Sequence, residues 1–498
     1  VAEPGDLTPI EWLSRLGHAL VHRQDRVFYW RRYYEGDQDL PAGPDQHKDA
    51  FRRFQALSRT NLCLLCVESM VHRMQVTGYR DNTGQAPGSN PVWKLWQQAK
   101  LDARQFSIYR KALSRSAAYV TVGVDPRDTT RPRVTIEGPE NVIVETDPAD
   151  SARRLAALRL WHDSIAKKWM ATLYLPGERY HWQTVSDFKY KERADLRLRW
   201  DPQQWELRAE PGRSFDRVPV VPFLNGDEGE QPVAVFDVGI DVQNRLNLTI
   251  LNRLSAERYA AFRQRYMTNY EVDEDPVTGL PLSPFRPGTD QIWTVPPPEP
   301  GQPETRVGDF AQTDTSQMLR GVEADMRAFA AVTLTPVYYL PGDLVNIGAD
   351  SVAALDAGHV AKIKQIETQF GEDHEEVVSL MAEAAGMDMD LSQGEVVWAR
   401  PESFQPAVVA DYMSKLVAAQ VPLPMVAEEV GWSPQRVDQL RSEMATNAFL
   451  AAATAPPAPV SGQQQPGQPQ GPTQPGQLPP GGRPALPRPP LQPGTQTP

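Results

Sequence analysis

Apolar residues along positions 217–267 recur with two different periods. Val218, Val220, Val221 and Phe223 form a short strand-like run interrupted by Pro219 and Pro222, and a polar turn follows at 225–230. The period then lengthens. Val238, Val242, Leu246, Ile250 and Leu254 recur every fourth residue, flanked by Ile240, Asn244, Asn247 and Leu251. No Pro or Gly interrupts 240–267, so the spacing predicts one helix of about 28 residues and roughly 40 Å. A rod of that length exceeds the common globular helix, which implies packing against copies of itself or bridging between domains.

The same reading sorts the rest of the chain. Residues 8–113 carry helical periods. Thr8-Pro9-Ile10-Glu11 is ordered as a helix start, a second helix ends in the aromatic run at 26–36, and two more amphipathic helices cover 51–73 and 92–113. From 117 to 221 the pattern becomes β-branched and turn-punctuated, with strands at 119–124, 133–136 and 141–144 and a mostly antiparallel series at 154–161, 169–175, 178–182 and 205–207. After 267 the chain is Pro-rich, leaving room only for short strands such as 291–295. A second rod follows over about 313–331, capped by Asp314 or Thr315, with Met318, Leu319, Val322, Met326, Phe329 and Ala330 as its stripe. A Pro- and Gly-broken loop at 334–350 precedes a long helix to about 385, a strand at 395–398 and three shorter helices at 408–419, 425–431 and 433–450. The fold class is therefore α+β.

Composition changes the picture at two places. Beyond 452 the chain is mostly Pro, Gln, Gly, Ala and Ser/Thr, with Arg483 and Arg488 as its only charged side chains. Such a segment cannot bury enough apolar area to offset ordering entropy and is expected to be a disordered tail. The 498 residues carry a net charge of −12, which argues against gripping nucleic acid over a broad basic surface and leaves room for letting it slide past. No apolar run is long enough for a membrane helix, and the start, Val-Ala-Glu-Pro-Gly, does not read as a signal peptide.

Motifs for chemistry are sparse. Cys63 and Cys66 lie in an apolar helical run with no second Cys pair, so they read as small core residues rather than a zinc or redox site. In the string 372–376, His374 has Val378 where a second zinc-binding His would stand, and the string reads as a solvated acidic helix face. The run 388–394 is similar to a calcium loop, but its Gly is one place late and no final Glu follows. No phosphate-binding Gly-rich loop and no Gly-x-Ser-x-Gly occur. These observations predict no catalytic residues, no metal and no cofactor.

The strand, acidic turn and helix at 217–267 resemble a segment of the portal proteins of tailed bacteriophages, in the branch with an SPP1-type portal. The carrying residues are Pro219-Val-Val-Pro-Phe223 with Asn225, then Asp237-Val-Gly-Ile-Asp241-Val-Gln-Asn244. The aromatic run ending Tyr33-Tyr34-Glu-Gly36 is similar to the family's opening arm. Asn346, Ser351, Ala353 and Leu355 are similar to the family's segment at the start of the long wing helix, with 347–350 departing from its compact form. The resemblance covers about 7–450.

It implies an N-terminal wing part at 1–236, helices then mostly antiparallel strands. A first stem helix at 237–267, a small β clip at 268–310 and a second stem helix at 311–333 follow. A tunnel loop at 334–350, the remainder of the wing at 351–400 (long helix and closing strand), a helical crown at 401–451 and the tail at 452–498 complete the layout. Stem packing would fall to Leu246, Ile250, Leu251, Leu254, Val322, Met326 and Phe329, and clip anchoring to Phe285 and Trp293. The channel lining would be Val337, Tyr338, Tyr339, Leu340, Asp343, Leu344, Val345 and Asn346.

The resemblance further implies a ring homo-oligomer, a dodecamer, at one capsid vertex of the virion, assembled in the host cytoplasm. Its expected partners are double-stranded DNA, the terminase large subunit, a head–tail adaptor, and the major capsid and scaffolding proteins, with no membrane. Two other classes fit the residues: another virion structural or adaptor protein, and a metal-dependent nucleic-acid enzyme. Between Arg327 and Lys362 no Lys or Arg occurs and Asp343 is the only charge near the loop tip, so the tunnel loop would present a weakly repulsive or neutral wall that does not trap phosphates.

Overall fold

The computed structural model describes residues 7–41, 48–81, 90–186, 202–226, 231–261, 265–269, 276–279, 301, 303–309, 314–340, 349–402 and 406–454. The tail beyond 454, the strand expected at 291–295 and the clip residues Phe285 and Trp293 lie outside them. The chain divides into two compact units, Val1–Met444 and Ala445–Pro498, and the first holds the three apolar clusters and the sheets of the described residues.

The chain opens with α1 (Pro9–Glu35), one continuous helix where the aromatic run was expected to close a second one. Thr8 and Glu11 form the starting capping box, and Gly36, at φ +81°, ends the helix in the left-handed conformation that glycine adopts without penalty. The two helices expected next are each divided. The first gives α2 (Lys48–Ala56) and α3 (Leu62–Val71), the second α4 (Pro91–Gln98) and α5 (Leu101–Arg115). Local chemistry makes both breaks. The Asn61 side chain accepts from the Leu64 N–H as a fresh N-cap, and Lys100 takes φ +58° at the second junction.

Between α3 and α4 lies β1 (Val76–Arg80), which the helical reading of 8–113 missed because its partner is remote. It pairs antiparallel with β13 (Glu395–Trp398). The central strands are β2 (Ala117–Asp125), β3 (Asp128–Glu137), β4 (Val142–Asp147), β5 (Asp150–Asp163), β6 (Lys168–Leu175), β7 (Glu178–Thr184), β8 (Trp205–Leu207), β9 (Gly212–Arg213) and β10 (Val220–Leu224). They build a three-stranded sheet, β10–β2–β3, and a six-stranded sheet, β4–β5–β6–β7–β8 with β9 on β7.

The first long rod is α6 (Ile240–Ala261), shorter than expected. Residues 265–268 do not continue it: β11 (Arg265–Thr268) pairs with β12 (Arg306–Asp309). Tyr266 and Thr268 suit a strand, and its partner lies some forty residues downstream, so no local period announced it. The second rod is α7 (Ser316–Thr333), and the long helix is α8 (Ala349–Ala384). Three helices close the described chain, α9 (Pro406–Ala418), α10 (Leu423–Glu429) and α11 (Pro434–Thr454).

One large core joins α3, α4, α5, the β10–β2–β3 sheet, α6, α7 and α8, and holds Cys63 and Cys66 with no exposure to speak of. Burial pushes the Cys63 thiol well above its ordinary pKa, which fits inert packing. A second core packs Trp12, Leu13, Leu16 and Leu20 of α1 against Leu158, Leu160 and Leu173 of the six-stranded sheet.

The expected acidic, solvated face at 372–376 is overturned. His374 is fully buried inside a ring of Trp96, Tyr109, Phe223 and Trp398, and its Nε2 bonds the Tyr109 hydroxyl at 2.9 Å. Burial holds that imidazole down at about 3, neutral at any ordinary pH. The helix places 374 on the same stripe as Phe370, Val377 and Val378, so periodicity outweighed the charge of its neighbours.

On the same helix Glu367 is 5% exposed and its Oε1 has no hydrogen-bond partner. Burial first, then the Glu402 charge, pushes its carboxyl up to about 8. The folded pKa exceeds the ordinary 4.5, so the fold binds the proton more tightly than the unfolded chain. Stability is complete below about 4.5 and declines as pH rises toward 8. Glu367→Gln removes the ionisation. It should match the parent at pH 4.5 and exceed it by a few kcal/mol at pH 8, as read from denaturant unfolding at the two pH values. Equal stability at pH 8 would refute the assignment.

Candidate functional site

The site is built where α6, α7 and the loop after α7 meet the N-terminal helices. The motif at 237–244 supplies its polar contacts. Trp30 Nε1 donates to Asp237 Oδ1, Arg26 pairs with the same carboxylate at 3.2 Å, and the Tyr33 hydroxyl donates to Asn244 Oδ1 at 2.7 Å. One turn on, Gln243 and Asn247 are fully buried together. Gln243 Oε1 accepts from the Leu62 N–H at 3.0 Å, and its Nε2 donates to Asn247 Oδ1 at 3.0 Å and to the Thr60 carbonyl. Asn247 Oδ1 also accepts from the Thr60 N–H at 3.1 Å, while its Nδ2 donates to Gln38 Oε1 at 2.7 Å. Buried amides satisfied in this way lock one register between α6 and the chain entering α3. Asp241 of the motif is exposed.

α6 and α7 run antiparallel side by side. Arg245 pairs with Asp325 at 2.7 Å, the Thr249 hydroxyl donates to the same carboxylate at 2.9 Å, and Gly239 lies against Phe329 and Thr333. A methyl at Gly239 would sit 2.7 Å from Phe329 Cε2, so glycine there sets how closely the helices approach. Leu246, Ile250, Val322 and Phe329 are buried in the large core, with Leu254 and Met326 partly buried against it. Leu251 is also buried. Leu248, Leu319 and Val332, by contrast, are 43%, 46% and 48% exposed.

The loop after α7 begins as a clamped turn. Leu334 ends α7 at φ +56°, and its carbonyl accepts from His359 Nδ1 at 2.9 Å, while Lys362 Nζ donates to the Thr333 carbonyl at 3.0 Å. Two α8 side chains thus cover the carbonyl end of α7, where the helix dipole favours a donor. Burial lowers the pKa of both His359 and Lys362.

Val337–Tyr339 then form a single 3-10 turn. Arg73 reaches it from the end of α3. It pairs with Asp356 of α8 at 2.6 Å and donates to the hydroxyls of Tyr338 at 2.8 Å and Tyr339 at 2.9 Å, and Tyr338 in turn donates to Asp356 at 2.8 Å. Burial alone would lower the Arg73 pKa; hydrogen bonds to Asp356 and the tyrosines override it and hold the guanidinium charged. Burial and the Asp356 bond push the Tyr338 hydroxyl up to about 12.

Of the eight loop residues singled out by the sequence, Val337 and Tyr339 are exposed, Tyr338 is half-buried in this clamp and Leu340 is buried. Asp343, Leu344, Val345 and Asn346 lie outside the described residues. Arg73, Asp356, His359 and Lys362 were missed by sequence reasoning. Arg73 stands 265 positions from Tyr338, and no local pattern marks that pairing. The stretch between Arg327 and Lys362, free of Lys and Arg, therefore has a cation from elsewhere in the chain at its base. Among the described residues no group of three or more His, Cys, Asp or Glu could hold a metal, and no helix is long and apolar enough to cross a membrane.

Arg73 and Asp356 side chains are 12% and 10% exposed. Arg73→Met would leave Asp356 buried without its counter-ion and should cost about 3–5 kcal/mol. Arg73→Met/Asp356→Asn should recover most of it. Chemical denaturation of the three proteins checks this; a single variant within about 1 kcal/mol of the parent would mean the clamp is slack.

A family model described as phage portal protein, SPP1 Gp6-like, matches residues 14–420. No curated protein matches. Among solved structures the chain is similar to the neck of a native GTA particle computed with C12 symmetry, at 10% identity and TM-score 0.41, covering 81% of this chain and 99% of that one. It is also similar to the neck of an empty GTA particle computed with C6 symmetry, at 10% identity and TM-score 0.40, covering 78% and 95%. A third is the virion of a native gene transfer agent particle, at 11% identity and TM-score 0.39, covering 81% and 93%.

Proposed function

Because the chain belongs to the SPP1 Gp6-like family of phage portal proteins, matching its model over residues 14–420, we propose that it forms the ring-shaped channel at one capsid vertex through which double-stranded DNA is packaged, retained and ejected. The supporting observation is the antiparallel pair α6 and α7, tied to the body at one end by the Gln243–Asn247 amides and carrying the β11–β12 ribbon at the other. In this reading α6 and α7 are the stem and the 268–310 insert is the clip, docking first the terminase large subunit and then the head–tail adaptor. The sheets with α8 are the wing that meets capsid and scaffolding proteins, and α9 to α11 are the crown. The role is mechanical, with no catalytic step and no cofactor.

Ring formation needs apolar surface left over after each protomer has folded. Leu248, Leu319 and Val332 on the stem helices supply it, since the other stripe residues are spent inside the protomer. Leu248→Asp/Leu319→Asp should fold as the parent does by circular dichroism but fail to form rings in negative-stain images. Parent protein should give end-on rings with a central hole. Normal rings from the variant would place the stem contacts elsewhere, and a parent that elutes as a monomer and shows no rings would sink the reading.

The segment 334–350 is proposed as the tunnel loop, anchored through the Arg73–Asp356 clamp and reaching the lumen through 341–348. A steric valve without basic residues lets DNA pass with little salt dependence. Leu344→Lys/Val345→Lys adds two basic rings at the constriction. Assembly should be unchanged, and packaging in a terminase-driven assay should slow, more so at low salt. Packaging at the parent rate would show that this segment does not approach DNA.

A further inference from the structure

One face of the six-stranded sheet packs on α1, and the other carries a small apolar cluster of Val142, Ala157 and Tyr174 against Val218 and Val220 beside a polar, charged stretch. Along β5, Ala156, Leu158 and Leu160 turn toward α1, so Ala157, Arg159 and Trp161 must turn the other way. The register extends that outer row across the sheet. Arg159 lies opposite Thr172, which lies opposite His181; Ala157 lies opposite Tyr174, which lies opposite Arg179. This face borders a cleft of about 980 Å³, closed on the other sides by the β2–β3 hairpin and the segment 208–219.

The cleft is basic in an acidic chain. Arg133, Arg159, Arg179, Arg208 and Arg213 line it, against two carboxylates, Asp216 and Glu383. Glu383 is already engaged by Arg217 at 3.5 Å, and Arg159 by Glu137 at 2.6 Å. The other four arginines have no carboxylate within ion-pair distance among the described residues. Thr121, also lining the cleft, is 5% exposed and its Oγ1 has no hydrogen-bond partner. Burial first, then Arg179 and Arg208, holds the His181 imidazole below its ordinary pKa, which reports the positive field on this face.

We propose that this cleft docks a carboxylate-rich peptide segment of a partner protein, held by Arg133, Arg179, Arg208 and Arg213, which have no ion-pair partner among the described residues, and by Thr121. Guanidinium forks match carboxylates in geometry and charge. The volume is at the upper end of ligand pockets and admits a few extended residues, but not a duplex. A single nucleic-acid strand would use open aromatic faces for its bases, and this cleft offers none. Arg159 covers the Trp161 ring at 4.7 Å, Tyr174 packs half-buried against the Ala157 and Val220 cluster, and Phe215 packs against the large core.

Docking at this cleft is independent of the channel reading and is tested on the full chain by fluorescence anisotropy with labelled octaglutamate. Parent protein should bind it, more weakly as salt rises. Arg179→Gln/Arg208→Gln should weaken binding about tenfold or more, while Arg52→Gln, an exposed arginine of α2, leaves it unchanged. The variants remove exposed arginines with no ion-pair partner among the described residues, and matching thermal melts will show that the fold is intact. No binding of octaglutamate by the parent overturns the proposal, as does equal affinity for the double variant. Tighter, arginine-dependent binding of an oligothymidylate would overturn it in favour of nucleic acid.

Discussion

The arrangement of the stem helices depends on two buried amides one helical turn apart. Gln243 and Asn247 face the chain between α1 and α3, where the Thr60 N–H has no other partner among the described residues and the Leu62 N–H otherwise has only the Thr60 carbonyl at 3.2 Å. A net hydrogen bond stabilises by only about 1 kcal/mol, but a buried group left unpaired costs about 1–3. The lattice therefore acts mainly by exclusion, because sliding α6 by one residue would strand several polar groups at once. Apolar contacts of Leu246 and Ile250 would tolerate such a slide far better. The direction of α6, and with it that of α7 and the ribbon beyond, is fixed by polar matching at one end.

The element types and their order were legible wherever one period ran long enough: α6, α7, α8, most of the central strands and the short C-terminal helices. What was not legible required partners distant in sequence. β1 and β13 are each short, and β11 continues a helical pattern until its own partner overrides it. Asn61 and Lys100 split helices through a side-chain cap and a left-handed backbone, neither of which disturbs the apolar stripe. His374 was misjudged for a related reason, since four neighbouring charges disguised a residue whose helical position lies on the buried stripe.

At the site, the motif 237–244 was legible as a motif but not as an interface. Its Asp237 and Asn244 are receptors for Trp30, Arg26 and Tyr33 of α1, so the aromatic arm and the motif, separately noticed, are two halves of one contact. The loop base was not legible at all. The four side chains that hold it come from α3 and α8, and nothing around Arg73 distinguishes it from other surface arginines in the sequence.

The pairing of β1 with β13 also sets a schedule. Val76 meets Trp398, so the strand made early must wait for more than three hundred residues before its partner leaves the ribosome, on the order of 15–60 s at usual elongation rates. During that interval α6 and α7 have already been synthesised, with their exposed apolar residues available to neighbouring nascent chains on the same message. Closure of the body by β13 comes after the surfaces that would join subunits exist, and that order leaves a window in which a helper protein could decide whether chains associate before or after they finish folding.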